Sequence, residues 1–441
     1  MSQPPSTAPE PPRHALRAWW DAFAAVAAGV AAMFVTAALG LWAAGATGLP
    51  GGGFPSVVAA TVVAAVGGSV ELSGGAGFLG STAAGLDVVP LSVTLAGAVV
   101  TAVVFLRPLR HRAVASGREL LGRVARTAAL WLVALLLICL AARHTFRIDL
   151  GGTQVGDLGD LGDLGDALGV TPEVGFRAAV GPTLGLGLMW LLVLLAVAVA
   201  VSRKTPLPSR LLRFQEPVRP AAFAMLAVLL AYAALGLVAG VVVLLVRGHP
   251  AETAAVLLLG LPNLVWLAFG VGLGGTWDGR APDIGLPVPK ALAAVLRERD
   301  GRGAVNLSSL TQQDGRAWLL VVVAALALLA AGFLVAARSS PRTRRWQHAV
   351  QLAVALAVTL LVVAALTGIT ARFGLSLLGI GDLGAFGGEV SLRPRWLPLL
   401  GFGLLWGLIA GFLGDVLARR VRRRGDVAEV AEVVGERPAG Q

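Results

Sequence analysis

The chain reads as an all-α integral membrane protein: a helical bundle of about eight transmembrane helices plus two re-entrant or broken segments, so up to about ten membrane segments. Three observations lead there. Of 441 residues, 56% are hydrophobic and only 14% are charged, with mean hydropathy +0.79, more apolar sequence than a water-soluble fold of this length needs. Apolar runs of span length recur at 19–44, 88–106, 125–142, 178–201, 221–246, 317–337, 347–370 and 396–418, each near the ~20 residues that cross a bilayer. Arginine clusters lie beside these runs, where they set membrane topology.

Taken in order, residues 1–18 open with MSQPPSTAPEPP, Pro-rich and predicted to be disordered. The run at 19–44 is too long for a signal-peptide core and is predicted to stay as a span. From Pro55 to Pro90 the chain is apolar but broken by glycines and carries Glu71 and Asp87. Its apolar part, Ser56–Val70, is about 15 residues, too short to cross as a helix. A half-helix descending from Ser56 would place Glu71 in the membrane interior, where a carboxylate is costly and is usually functional or paired. Asp87 stands where it could cap the next span. Beyond 88–106 comes RPLRHR, and residues 112–126, RAVASGRELLGRVAR, alternate apolar and basic faces and are predicted to lie along the membrane surface. The outer loop 143–177 contains VGDLGDLGDLGD, a low-complexity linker without calcium-loop spacing. Residues 253–275 form the second short, Gly-rich stretch, with Pro262, Asn263 and Trp266. Residues 425–441 form a polar tail.

Charge parity decides whether the broken stretches cross. If the N-terminus and the clusters RPLRHR, RKTPLPSRLLRFQEPVR, RSSPRTRR and RRVRRR all lie on the cytoplasmic side, an even number of crossings separates each pair. The clean spans already supply those crossings, so 56–86 and 253–275 must each return to the side they entered. The halves 19–219 and 220–424 then run alike: span, broken segment, span, basic loop, span, outer loop, span. That order predicts a parallel internal duplication. GGAGFLGST at 74–82 echoes FGVGLGGT at 269–276, and GLDVVPLSV at 85–93 echoes APDIGLPVP at 281–289.

Several function classes are set aside. The net charge of +11 is distributed in clusters beside apolar runs, which suits anionic lipid head groups and not nucleic acid. The single cysteine, Cys139, permits no intramolecular disulfide. No phosphate-binding loop and no zinc-ligand spacing occur, so no cofactor and no metal are expected. GIGD at 379–382 lacks the helical context of an intramembrane aspartyl protease, and no serine or histidine constellation is complete. No catalytic residue is assigned, and the chain is not expected to be an enzyme. Glycines spaced four apart, at Gly181/Gly185, Gly236/Gly240, Gly270/Gly274 and Gly403/Gly407/Gly411, predict close helix packing.

SGGAGFLGSTAAGLDVVPLSVTLAGAVV followed by FLRPLRHRAV resembles the streptophobe family of multi-span membrane proteins from Streptomyces and related actinobacteria, and the resemblance extends from Trp19 to about Arg424. It implies a source and a bacterial cell membrane location, while charge parity puts both termini in the cytoplasm. The family has no established activity, so no mechanism follows. LPNLVWLAFGVGLGGT at 261–276 also looks like a Gly-rich element of other actinobacterial membrane proteins.

Paired interrupted segments point to transport or channelling of a small solute or ion, because unwound backbone at membrane depth persists only where it lines a cavity or is buried in protein. The candidate binding residues are Glu71, Gly74, Gly75, Asp87, Asn263 and Trp266. The alternative reading is a non-catalytic membrane scaffold for envelope or developmental proteins, working through its basic loops.

Overall fold

A computed structural model describes residues 12–75, 81–108, 117–147, 173–202, 209–246, 248–280, 302–339, 345–376 and 388–420. The first half runs α1 (Pro12–Ala43), α2 (Phe54–Ala65), β1 (Val70–Gly75), β2 (Ser81–Asp87), α3 (Leu91–Leu106), α4 (Gly117–Ala141), β3 (Arg143–Arg147), β4 (Glu173–Ala178) and α5 (Val180–Val201). The second runs α6 (Ser209–Val246), α7 (Pro250–Gly272), β5 (Trp277–Arg280), β6 (Arg302–Val305), α8 (Leu307–Gln313), α9 (Leu319–Arg338), α10 (Arg345–Thr367), β7 (Ile369–Ser376), β8 (Gly388–Pro394) and α11 (Trp396–Arg420). The chain is a helical membrane bundle, as its composition predicts.

Eight helices of the described residues are long and apolar enough to cross a membrane. Their number agrees with the sequence reading, but their membership differs. The run at 88–106 becomes α3, whose 16 residues reach only about 24 Å. Conversely, 253–275 becomes α7, a continuous 23-residue helix with Pro262 inside it. Residues 117–126, expected to lie on the membrane surface, are instead the first turns of α4. The reason is packing: Arg123 is drawn toward Asp21 at 3.7 Å and lies over the Phe105 ring.

The bundle carries a feature the sequence reading missed. All eight strands join one antiparallel sheet in the order β3-β4-β1-β2-β7-β8-β5-β6. Each strand is attached directly to a helix end, so the sheet covers one end of the bundle. The other ends of the long helices, α3 at Leu106, α4 at Gly117, α5 at Val201, α9 at Arg338 and α10 at Arg345, point away from the sheet. Strands of four to eight residues interleaved with glycine give no alternation strong enough to stand out beside long apolar helices.

Both broken segments lead into the sheet. α2 begins where Gly51 and Gly53 lie against His144 and Phe146 of β3, and ends where Gly68 lies against Thr183, at the start of α5. α7 touches the sheet-end tips of three helices along its length: Gly40 of α1 lies against Leu258 and Leu259, Ser92 of α3 binds Leu257, and Leu320 of α9 meets Gly272. α2, with 12 residues and both ends close to the sheet, is too short to cross. α7 is long and apolar enough to cross and also runs antiparallel beside α6, with Leu257 at Gly240 and Trp266 at the Leu229 carbonyl.

The halves repeat in detail. α2 ends with Gly67 at φ 83°, its N–H on the Ala64 carbonyl and the Gly68 N–H on that of Val63. α7 ends with Gly274 at φ 98°, its N–H on Val271 and the Gly275 N–H on Gly270. Both are Schellman caps, which need a left-handed residue and so a glycine. Beyond them Ala179 donates to the Ser69 carbonyl, and Arg395 donates to that of Thr276. The equivalence thus aligns Gly67–Gly68–Ser69 with Gly274–Gly275–Thr276. It corrects the sequence echo, which had set 74–82 beside 269–276. The strand order β3-β4-β1-β2 is repeated as β7-β8-β5-β6 in the same sheet, so the repeat is parallel.

Each half has its own apolar core. One is built around Met33, Val62, Phe105, Trp131 and Leu191, the other around Tyr232, Phe269, Leu328, Leu352 and Leu356, with Leu91 reaching in from the first half. The glycine ladder of α11 packs as its spacing predicts: Gly403, Gly407 and Gly411 lie against Ala357, Ala353 and Ala349 of α10. Gly236 and Gly240 of α6 lie against α7 side chains, whereas nothing lies close to Gly181 or Gly185.

Candidate functional site

The second broken stretch meets the chain just past the first, at the turn between β2 and α3. α3 starts after Pro90, which has no side chain able to cap it, so the Leu91 N–H needs a partner from elsewhere. Asn263 of α7 supplies it. Its side-chain oxygen accepts from the Leu91 N–H at 3.0 Å, and its NH2 donates to the Val89 carbonyl at 2.8 Å. One residue on, the Ser92 hydroxyl donates to the Leu257 carbonyl at 2.8 Å and accepts from the Leu261 N–H at 3.2 Å. Leu257 and Leu261 are four apart, a backbone pair of the α-helical ladder, so a side chain from the first half sits on a rung of α7. The adjoining Pro262 has no N–H to offer the Leu258 carbonyl. Trp266, one turn further, is buried and donates its indole N–H to the Leu229 carbonyl of α6 at 3.0 Å.

Glu71 lies elsewhere, in a correction of its expected depth. Because α2 stops at Ala65 and the Gly67 cap turns the chain into β1, Glu71 is a strand residue and not the end of a descending half-helix. Period-two alternation sends Glu71 and Ser73 outward. Its side chain is 55% exposed and pairs with Arg177, its cross-strand neighbour on β4, at 3.1 Å; such exposed pairs are worth about 0–1 kcal/mol. Gly74 and Gly75 are ladder residues of β1, opposite Thr82 and Ser81. Asp87 ends β2 opposite Thr370, is exposed, and does not cap α3.

The second half holds the counterpart of Glu71. Asp278 of β5 stands opposite Arg393 and accepts three hydrogen-bond contacts from Arg395, the shortest at 2.8 Å. Those bonds and the carboxylate charge hold the Arg395 guanidinium above its ordinary pKa.

The six candidate residues therefore divide. Asn263 belongs to the joint between the halves, and Trp266 ties α7 to α6 within the second half. Glu71, Gly74, Gly75 and Asp87 belong to the sheet, and only the backbone just past Asp87 reaches that joint. Sequence reasoning missed Ser92, which no motif distinguishes. It also passed over His348 and Asp415, both buried near the basic end and both engaged with neighbours; an aspartate inside the last apolar run was the available signal for the latter. Among the described residues, no three His, Cys, Asp or Glu side chains gather as a metal site would require.

Chemically, the joint is a lock. Asn263 spends an acceptor and a donor on backbone, and Ser92 does the same. No protein-family model, no curated protein and no solved structure matches the chain.

Proposed function

We propose that this multi-pass membrane protein is a non-catalytic scaffold that holds an extramembrane sheet on one face and arginine-rich segments on the other. The observation that supports it is the use of the polar groups at the joint. The residues that would have bound a solute there are committed to backbone, and the acid that would have coupled flux, Glu71, lies on an exposed strand. The carrier or channel reading rested on the two interrupted segments sharing a site; α7 meets the turn at Val89–Ser92 instead, through groups bonded to backbone, and Glu71 is exposed and paired with Arg177, which favours the scaffold.

The same proposal places the sheet outside and both termini in the cytoplasm of a bacterial cell, since the helix ends away from the sheet are the ones that the arginine-rich stretches of the sequence adjoin and cationic loops stay inside. Anionic lipid head groups are the partners these arginines suit. The streptophobe resemblance belongs to this proposal and supplies an actinobacterial source.

Two measurements test it. In proteoliposomes the protein should pass no proton or cation flux above empty vesicles; a flux abolished by Glu71→Gln would restore the carrier reading. In cells, single cysteines at Gly52 and Thr276 in a Cys139→Ala background should label from outside, and cysteines at Ser202 and Ser339 only after permeabilisation. The reverse pattern would invert the orientation.

A further inference from the structure

The sheet joins its halves through β2 and β7, and it ends in β3 on one side and β6 on the other. These four strands are two pairs of counterparts. Val70 and Trp277 each follow the aligned Gly-Gly-Ser and Gly-Gly-Thr segments by one residue, and their hairpin partners are Leu86 of β2 and Val305 of β6. Phe176 and Leu392 each stand three residues before the aligned Ala179 and Arg395, and they pair with His144 of β3 and Ile369 of β7. β6 is therefore the counterpart of β2, and β3 that of β7. One strand of each pair is joined inside the chain and the other is an edge: among the described residues β3 pairs with β4 alone and β6 with β5 alone. Edge strands present backbone N–H and C=O groups that can take a further strand. The helices are one-sided in the same sense. α7 packs on α1 and α3 of the first half, whereas α2, its counterpart, packs on α1, α3 and α4 of its own half.

We propose that β6 of one copy pairs with β3 of a second copy, so that the sheet continues from chain to chain through the same joint that links the halves within it. The internal joint fixes the register. Leu86 stands opposite Ala371 and Gly85 opposite Arg372, which places Val305 opposite Phe146 and Ala304 opposite Arg147 of the next copy, antiparallel. Directly opposed residues share a face of the sheet, and these do. Val305 is buried with Val271 and Leu399 of the bundle, and Phe146 lies against Gly53 at the start of α2. An aromatic residue opposite a β-branched one is a favourable cross-strand pair. Pairing starts at Val305, because the Asn306 N–H donates to the Ser309 hydroxyl and its carbonyl accepts from the Leu310 N–H as α8 begins. The contact is head-to-tail, β6 on β3, so a dimer keeps one open edge at each end, and further copies either close a ring or extend the row. This inference rests on the strand register and is independent of the scaffold reading.

The test is disulfide cross-linking between full-length chains in the membranes of the expressing cells. Two differently tagged variants, Ala304→Cys and Arg147→Cys, each in a Cys139→Ala background, are co-expressed and oxidised with copper phenanthroline. A product carrying both tags, at twice the 45.0 kDa of one chain, is expected from the mixture and not from either variant expressed alone. Both substitutions placed in one chain should link copies and should not close within a monomer. Gly85→Cys with Arg372→Cys in one chain is the equivalent internal pair and should close within the monomer, which shows that this register yields a disulfide. Size-exclusion elution of each variant checks that it is folded. Three results each overturn the proposal: no mixed-tag product while the internal pair closes, closure of the Ala304→Cys, Arg147→Cys chain on itself, or a cross-linked partner other than a second copy.

Discussion

Replacing Asn263 with alanine removes two hydrogen bonds to backbone, the 2.8 Å bond to the Val89 carbonyl and the 3.0 Å bond from the Leu91 N–H. Each bond is worth about 1 kcal/mol net, and an orphaned buried donor adds roughly 1–2 kcal/mol. Leu91 is 1% exposed, so water does not easily replace the lost acceptor and the full penalty applies. The expected destabilisation is about 3 kcal/mol. Cys139 provides the assay: it is the only cysteine in the chain and is 3% exposed, so a thiol-reactive dye reports opening of the first half during a thermal ramp in detergent. At roughly 2–4 °C per kcal/mol, the midpoint should fall by about 6–12 °C. Leu264→Ala is the control, since that neighbour is 55% exposed and should shift the midpoint little. Equal shifts in the two variants would show that the Asn263 bonds contribute nothing to holding the halves together.

The remaining predictions use the same readout. Gly407→Ala and Gly411→Ala drive a methyl into the α10 backbone at Ala353 and Ala349 and should each cost about 1–3 kcal/mol or more, whereas Gly185→Ala and Gly401→Ala, with nothing nearby, should be neutral; a reversed order would refute the α10–α11 seam. Trp131→Phe removes the indole bond to the Gly187 carbonyl at 3.0 Å and weakens the stack on Trp190, so the midpoint should fall, and a second change at Trp190 should be less than additive. Because Asp278 raises the Arg395 pKa, that arginine's contribution is fully present below its unfolded-state value and fades only as pH rises through the folded one. A melt followed from neutral to moderately alkaline pH should therefore show no Arg395-dependent loss, seen as a constant offset between the protein and Arg395→Gln.

Much of the architecture was legible because the bilayer permits few solutions. A chain this apolar must satisfy its backbone within helices, and arginine clusters mark which helix ends share a side. Parity of those clusters predicts that 56–86 and 253–275 return without any view of their shape, whereas the second is a 23-residue helix long and apolar enough to cross. The echo of the halves was also visible, although placed in the wrong register: Val66-Gly67-Gly68-Ser69 matches Leu273-Gly274-Gly275-Thr276, and the positive φ of Gly67 and Gly274 is what makes those glycines equivalent.

What the sequence could not determine depends on contacts between distant residues. Glu71 reads as a buried acid while Ser56–Glu71 is treated as one helix, and as a surface acid once Arg177, 106 residues away, completes its strand pair. Asn263 reads as a free amide until Val89 and Leu91, more than 170 residues away, take both its groups. Local composition determined that this protein lies in a membrane, which ends of its helices lie together, and that it is built twice. Tertiary structure alone decided that its polar residues are spent on joining the halves, because a hydrogen bond is assigned by who arrives within about 3 Å, and periodicity carries no information about that.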